Sequence, residues 1–137
     1  MIPPTMEPDE VLEIATIKRE FVEKIAPELE SYVVVLTGER LRHIRASRQR
    51  DQLAFPRISK IPEVLTAPNK VCKNREDPEI ANFYKWDPTI GKYLRVTLWI
   101  NVSKTKGKSN SVLGFRVCDV EEVEKDIRKG LLIYKKE

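Results

Sequence analysis

Apolar side chains recur at Val11, Ile14, Ala15, Phe21, Val22 and Ile25, and this spacing predicts one amphipathic helix over residues 8–26. Pro8 suits its first turn, the acids of EPDEVLE favour the positive end of a helix dipole, and Pro27 ends it. A free helix of that length is marginal in water, so it is expected to pack on the rest of the chain. Residues 32–36, YVVVL, are β-branched and almost wholly apolar, which predicts a strand buried on both faces. Thr37 follows as the N-cap of a short helix reaching about Arg48, with Leu41 and Ile44 on its inner side. A second short helix is expected over residues 57–65, turning Ile58, Ile61 and Leu65 inward and stopping before Pro68.

From residue 69 onward the period shortens. NKVCK, NFYKW, YLRVTLWINV and SVLGFRV alternate or run apolar, as strands do, and the turn-rich stretches at Asp77-Pro78, Asp87-Pro88 and KTKGKSN separate them. Asp119 offers an N-cap to a last helix that carries Val120, Val123 and Ile127 on one face, with Gly130 as its stop, and LLIYKK adds an edge strand. The expected fold is α+β, with N-terminal helices packed on a small, mainly antiparallel sheet of four to five strands. Residues 1–30 form an acidic helical arm on an α+β domain at 31–137, the two making one unit.

Length and charge narrow this further. At 137 residues and 41% hydrophobic the chain furnishes one modest core. Its net charge of +4 hides an asymmetry: residues 1–30 hold eight acids and three bases, a sum of −5, so the remainder carries +9. A basic body suggests phosphate-rich partners, RNA among them. The acidic helix could mask that body, or could form a homodimer contact through Val11, Ile14, Phe21 and Ile25. Cys72 and Cys118 fit neither a disulfide framework nor a zinc site, and are expected to be reduced and structural. No Gly-rich phosphate loop, His-x-x-x-His or Cys-x-x-Cys occurs, so no metal and no cofactor are expected. Nor is there a run of the ~18 apolar residues that a membrane span needs, and a cytoplasmic protein without membrane contact is anticipated.

Two stretches could carry chemistry. His43, the one histidine, lies in ERLRHIRASRQR, and between Arg40 and Lys60 there are seven bases and one acid. Such a field holds polyphosphate close, with Arg42 and Arg45 as candidate nucleic-acid contacts. The second stretch runs from 92 to 110 without an acid and contains Lys92, Arg95, Lys104, Lys106 and Lys108, with Tyr84, Trp86, Tyr93 and Trp99 interleaved on neighbouring strands. Bases beside aromatics can grip the backbone of single-stranded RNA while stacking its bases. Tyr93, Lys85 and Arg116 join this group as contacts, whereas Trp99 in VTLWINV is expected in the core.

VVVLTGERLRHIRASR, ISKIPEVLTAPNKVCK, FYKWDPTIGKYLRVTLWI and SVLGFRV, covering roughly residues 32–118, resemble phage-type nucleases of the barnase–EndoU–colicin–RelE (BECR) group. Thr37, Glu39, Arg40, His43 and Ile44 match the group's strand-to-helix opening, and Val64, Leu65, Pro68 and Val71 match its next step. The resemblance implies a BECR-like fold and a metal-independent, toxin-like ribonuclease in which His43 is the functional residue. Such cleavage needs a base for the 2′-OH, an acid for the departing oxygen and cations for the charged phosphorane. His43 could be the base or the acid, and Arg40, Arg48, Lys85, Arg95 or Arg116 could supply the cation. An inhibitor protein is a further implied partner. The chain departs from the pattern after the matched helix, at ASRQRDQ, and in its last strand, at Gly114 and Phe115. The alternative is therefore a non-catalytic RNA-binding or protein-interaction domain on a degenerate nuclease fold.

Overall fold

The computed structural model describes residues 2–137, and in it the segment expected as one long helix is chiefly a strand. Strand β1, Val11–Thr16, pairs antiparallel with β2, Val33–Thr37. Leu12 and Ile14 lean on the core while Val11 stands 63% exposed, which is a period of two. Helical spacing fitted these residues only by counting Val11 as an inward position. What remains helical is α1, Arg19–Val22, a single turn that buries Phe21 and Val22.

The expectation of N-terminal helices on four to five strands is corrected to a mixed sheet of seven strands. Strand β3 is Lys70–Lys73, β4 Ile80–Asp87, β5 Lys92–Trp99, β6 Asn110–Cys118 and β7 Leu132–Lys135. Their order is β1-β2-β6-β5-β4-β3-β7. Every pairing is antiparallel except that of β2 with β6, which is parallel and two residue pairs long, Val34 with Asn110 and Val35 with Ser111. Local alternation reveals strands one at a time, but that parallel contact joins segments about 75 residues apart, which no local pattern encodes.

Both sheet faces carry apolar side chains, and the helices divide between them. On one face Phe83, Val96, Leu98, Val112 and Phe115 meet Leu41 and Ile44 of α2, Gly38–Arg48, and Ile61, Val64 and Leu65 of α3, Ile61–Thr66. A 3-10 segment, Phe55–Lys60, leads into α3, whose Pro62 sits in the first turn where its missing N–H costs nothing. Thr37 caps α2 as expected, its hydroxyl accepting from the Arg40 amide at 3.1 Å. On the other face α4, Val120–Arg128, covers a second, smaller cluster of Cys72, Tyr84, Tyr93, Cys118, Val123 and Leu131. Gly130, at φ 76°, ends α4 in the left-handed turn that only glycine adopts without strain.

The N-terminal residues are part of the first core, since Ile2, Met6, Ile17, Phe21, Val22 and Ala26 are all buried in it. Phe21 is therefore not available for the homodimer contact considered above. Residues 2–10 run as a strap across the start of α2. The Gly38 amide donates to Glu10 O at 2.9 Å and that of Glu39 to Pro8 O at 3.1 Å. A Cβ on Gly38 would lie 1.7 Å from the Glu7 carbonyl oxygen, so the strap can cross only a glycine. Gly38→Ala is expected to lower stability by about 2 kcal/mol or more, because backbone on both sides must move. Chemical denaturation of the two proteins measures this.

Candidate nucleic-acid interface

The basic residues of α2 are mostly engaged in holding the fold. Arg42 donates to Met6 O at 3.1 Å and pairs with Glu7 at 3.6 Å. Arg45 reaches the carbonyls of Pro3 and Pro4. Arg48 donates its Nε to Phe115 O at 3.0 Å, satisfying β6 where that strand has parted from β2. Arg40 is half-buried, and His43 is exposed. Ser47, Arg48, Leu113 and Gly114 border a hollow of about 60 Å³ beside His43, room for little more than two waters, with no carboxylate in its lining. Of the residues considered for catalysis, the structure brings His43 and Arg48 together. Arg95 points from the opposite face of the sheet, because β5 turns Leu94 and Val96 toward α2 and α3 and Arg95 away from them.

The second group is also partly committed. Lys85 donates to Ala67 O at 3.0 Å, Lys92 is hydrogen-bonded to Asp119, and Lys104 pairs with Glu28 at 3.6 Å. Tyr93 is 9% exposed, edge-on to Tyr84 and Trp86, with the Lys70 ammonium 5.6 Å from its ring centre. It belongs to the cluster under α4 and has no open face for a base. Lys106 and Lys108, in the loop between β5 and β6, have no ion pair among the described residues.

What α4 leaves uncovered is a continuous strip of the same sheet face. Ile80, Asn82, Thr97, Trp99 and Gly114 lie there, outside both core clusters. Trp99, expected in the core, is half-buried on this strip opposite Ile80. Thr97 Oγ1 donates to Asn82 Oδ1 at 2.8 Å, and across from Thr97 a Cβ placed on Gly114 would meet no atom within 4 Å. At the border with α4, Arg95 stands directly opposite Arg116 of β6. Arg116 is paired with Glu122, but the Arg95 Nε is buried and meets no acceptor among the described residues. Strand alternation in the sequence held the signal for Asn82, Thr97 and Trp99. It was missed because their exposure depends on where a nine-residue helix stops.

Neither family models, nor curated proteins, nor solved structures match this chain. Its chemistry must therefore be read from the strip itself, which offers one aromatic, one guanidinium whose Nε lacks an acceptor among the described residues, and an amide and hydroxyl pair, with two lysines in the nearby β5–β6 loop. No helix among the described residues is long and apolar enough to cross a membrane, and no three His, Cys, Asp or Glu side chains among them gather as a metal site would require.

Burial tunes the groups around the strip. Cys72 is pushed up to about 12, first by desolvation and then by the Asp126 carboxylate, and desolvation likewise raises Cys118. Burial and the Asp126 carboxylate, to which its hydroxyl donates at 3.0 Å, hold Tyr84 protonated. At the β4–β5 turn, Asp87 is 4% exposed and takes bonds from Thr89, Arg57 and Lys60. The Thr89 hydroxyl, above all, holds its carboxyl at about 2, against the desolvation that works to raise it.

Two outcomes follow from these shifts. The thiols of the folded protein are expected to resist alkylation at mildly alkaline pH and to react on unfolding, as mass spectrometry would record. Folding lowers the Asp87 pKa, so its contribution is complete above about pH 4 and is lost as pH falls toward 2. That loss should be on the order of 1–2 kcal/mol and absent from Asp87→Asn, in denaturant unfolding measured across the acid range.

Proposed function

We propose that this protein binds single-stranded RNA on the strip of sheet that α4 leaves bare. The buried, unpartnered Nε of Arg95 carries the reading. A desolvated donor without an acceptor costs about 1–3 kcal/mol, and a phosphate drawn to the half-buried guanidinium that carries it would offset that cost. Arg116, directly across, is paired with Glu122 and leaves Arg95 as the cation without a partner among the described residues. Trp99 and Ile80 supply a surface on which a base can stack, and the Asn82–Thr97 pair supplies polar groups for base edges or the 2′-hydroxyl. Lys106 and Lys108 add charge at the same end of the sheet.

His43 has no part in this reading. Phosphoester cleavage needs two proton-transfer groups on either side of a phosphate, and the residues bordering the hollow beside His43 include no carboxylate, lysine or tyrosine to serve as the second.

The test uses fluorescence anisotropy with a labelled single-stranded RNA, at several salt concentrations, and gel analysis of the same RNA in EDTA. The wild type should bind and leave the RNA intact. Arg95→Met should weaken binding by about tenfold and flatten the salt dependence by about 0.7 of a logarithmic unit. The same variant should stabilise the free protein by about 1 kcal/mol, since it removes a buried donor without an acceptor. Trp99→Ala should cost about 1–3 kcal/mol of binding with the salt slope unchanged. Equal affinities for all three proteins would place binding elsewhere, and RNA cleavage lost in His43→Ala would replace this reading with a ribonuclease.

A further inference from the structure

The loop that joins β5 to β6, residues 100–109, is built rather than slack. Asn101 ties it internally: its Nδ2 donates to the carbonyls of Thr105 and Lys108 at 3.0 and 3.2 Å, and its Oδ1 accepts from the Thr105 amide at 2.9 Å. Asn110, 1% exposed, ties it to the neighbouring chain. Its Oδ1 accepts from the Asn101 amide at 2.9 Å, and its Nδ2 donates to the carbonyls of Ser31 and Val33 at 2.7 and 3.0 Å. Two residues of the loop, Lys104 at φ 57° and Gly107 at φ 75°, hold left-handed conformations that make the chain turn sharply.

Between this loop and residues 29–31 lies a hollow of about 290 Å³, lined among others by Ser31, Asn101, Lys104, Thr105, Lys106 and Lys108. Glu30 also lines it, and Glu28 outside it occupies Lys104 at 3.6 Å. Lys106 and Lys108 are left with no carboxylate partner among the described residues, and Ser31 and Thr105 line the same hollow. The loop that bounds the hollow leaves β5 directly after Trp99, and residues 29–31 line its other side.

We propose that this hollow receives the terminal phosphomonoester of the bound RNA strand, an assignment that rests on the strip being the RNA-binding face. A terminal phosphate carries close to two negative charges, where each internal diester carries one, so two unneutralised ammonium groups favour the end over the middle of a strand. Ammonium groups act as compact point charges that need no planar, bidentate approach, which suits a rotating phosphomonoester. The hollow is at the small end of ligand-site volumes, enough for a phosphate with its sugar. Asn101 and Asn110 fix the lysine backbone before the ligand arrives, which limits the ordering cost of binding.

The experiment compares the full-length wild type with Lys106→Ala/Lys108→Ala, both variant positions being exposed, on one short RNA prepared with a 5′-phosphate, with a 3′-phosphate, and with hydroxyls at both ends. One phosphorylated form should bind the wild type about tenfold more tightly than the hydroxyl form, and which form it is assigns the end. The double variant should bind the three RNAs alike, the hydroxyl-ended form more weakly than the wild type does because two general charge contacts are gone, and millimolar inorganic phosphate should erase the preference in the wild type. Equal binding of all three RNAs, or a preference that survives in the double variant, overturns this inference and leaves the sheet-face reading intact. Absence of binding to any of the RNAs overturns both.

Discussion

The central strands β4, β5 and β6 present apolar side chains on both faces, and the placing of every helix answers to that. A sheet buried on one side alone would show strict alternation; here Phe83, Val96 and Phe115 point one way while Tyr84, Tyr93 and Cys118 point the other. Covering both faces needs two helical layers. The chain has α1, α2, α3 and the N-terminal strap for the first face, and only α4 for the second. Nine residues of helix cover Tyr84, Tyr93 and the two cysteines, then end, and the sheet beyond them is left facing outward. The open strip is thus a consequence of where α4 stops, and its half-apolar, half-polar side chains are suited to being only partly covered.

The same economy governs the charges. A net +9 over residues 31–137 reads as a broad basic surface, yet most of the cations that sequence analysis singled out are bonded within the fold. Arg42 and Arg45 hold the strap, Arg48 satisfies a strand carbonyl, Arg57 and Lys60 bind Asp87, and Lys85 and Lys92 fasten loops. Guanidinium groups suit such tasks, since one fork can satisfy two carbonyls that would otherwise lie unbonded beside a packed surface. Set against these, Arg95 is conspicuous. Its buried Nε occupies a costly position and makes no compensating bond among the described residues.

Much of the local structure was legible. The cap at Thr37, the helix that follows it, the last helix with its stop at Gly130, and the strands after residue 69 all depend on interactions between residues near in sequence. The first 26 residues were misread for an equally local reason. Val11, Ile14, Ala15, Phe21, Val22 and Ile25 fit a helix by their spacing, and the edge of β2 decided for a strand by offering hydrogen bonds to residues 11–16. The BECR resemblance rested on the opening around His43, but the expected small sheet did not appear: β1 and β7 extend it and the parallel β2–β6 contact joins its halves.

The sequence by itself determined which segments are helical or extended through most of the chain, that their core is small, and that positive charge outweighs negative after residue 30, because propensity, alternation and charge are properties of the residues themselves. Tertiary structure alone decided which cations are free, why Gly38 admits no side chain, and that Trp99, Thr97 and Asn82 face outward beside Arg95. Those outcomes turn on which carbonyl, carboxylate or helix end comes to lie next to a residue from a distant part of the chain, and that neighbour is set by packing.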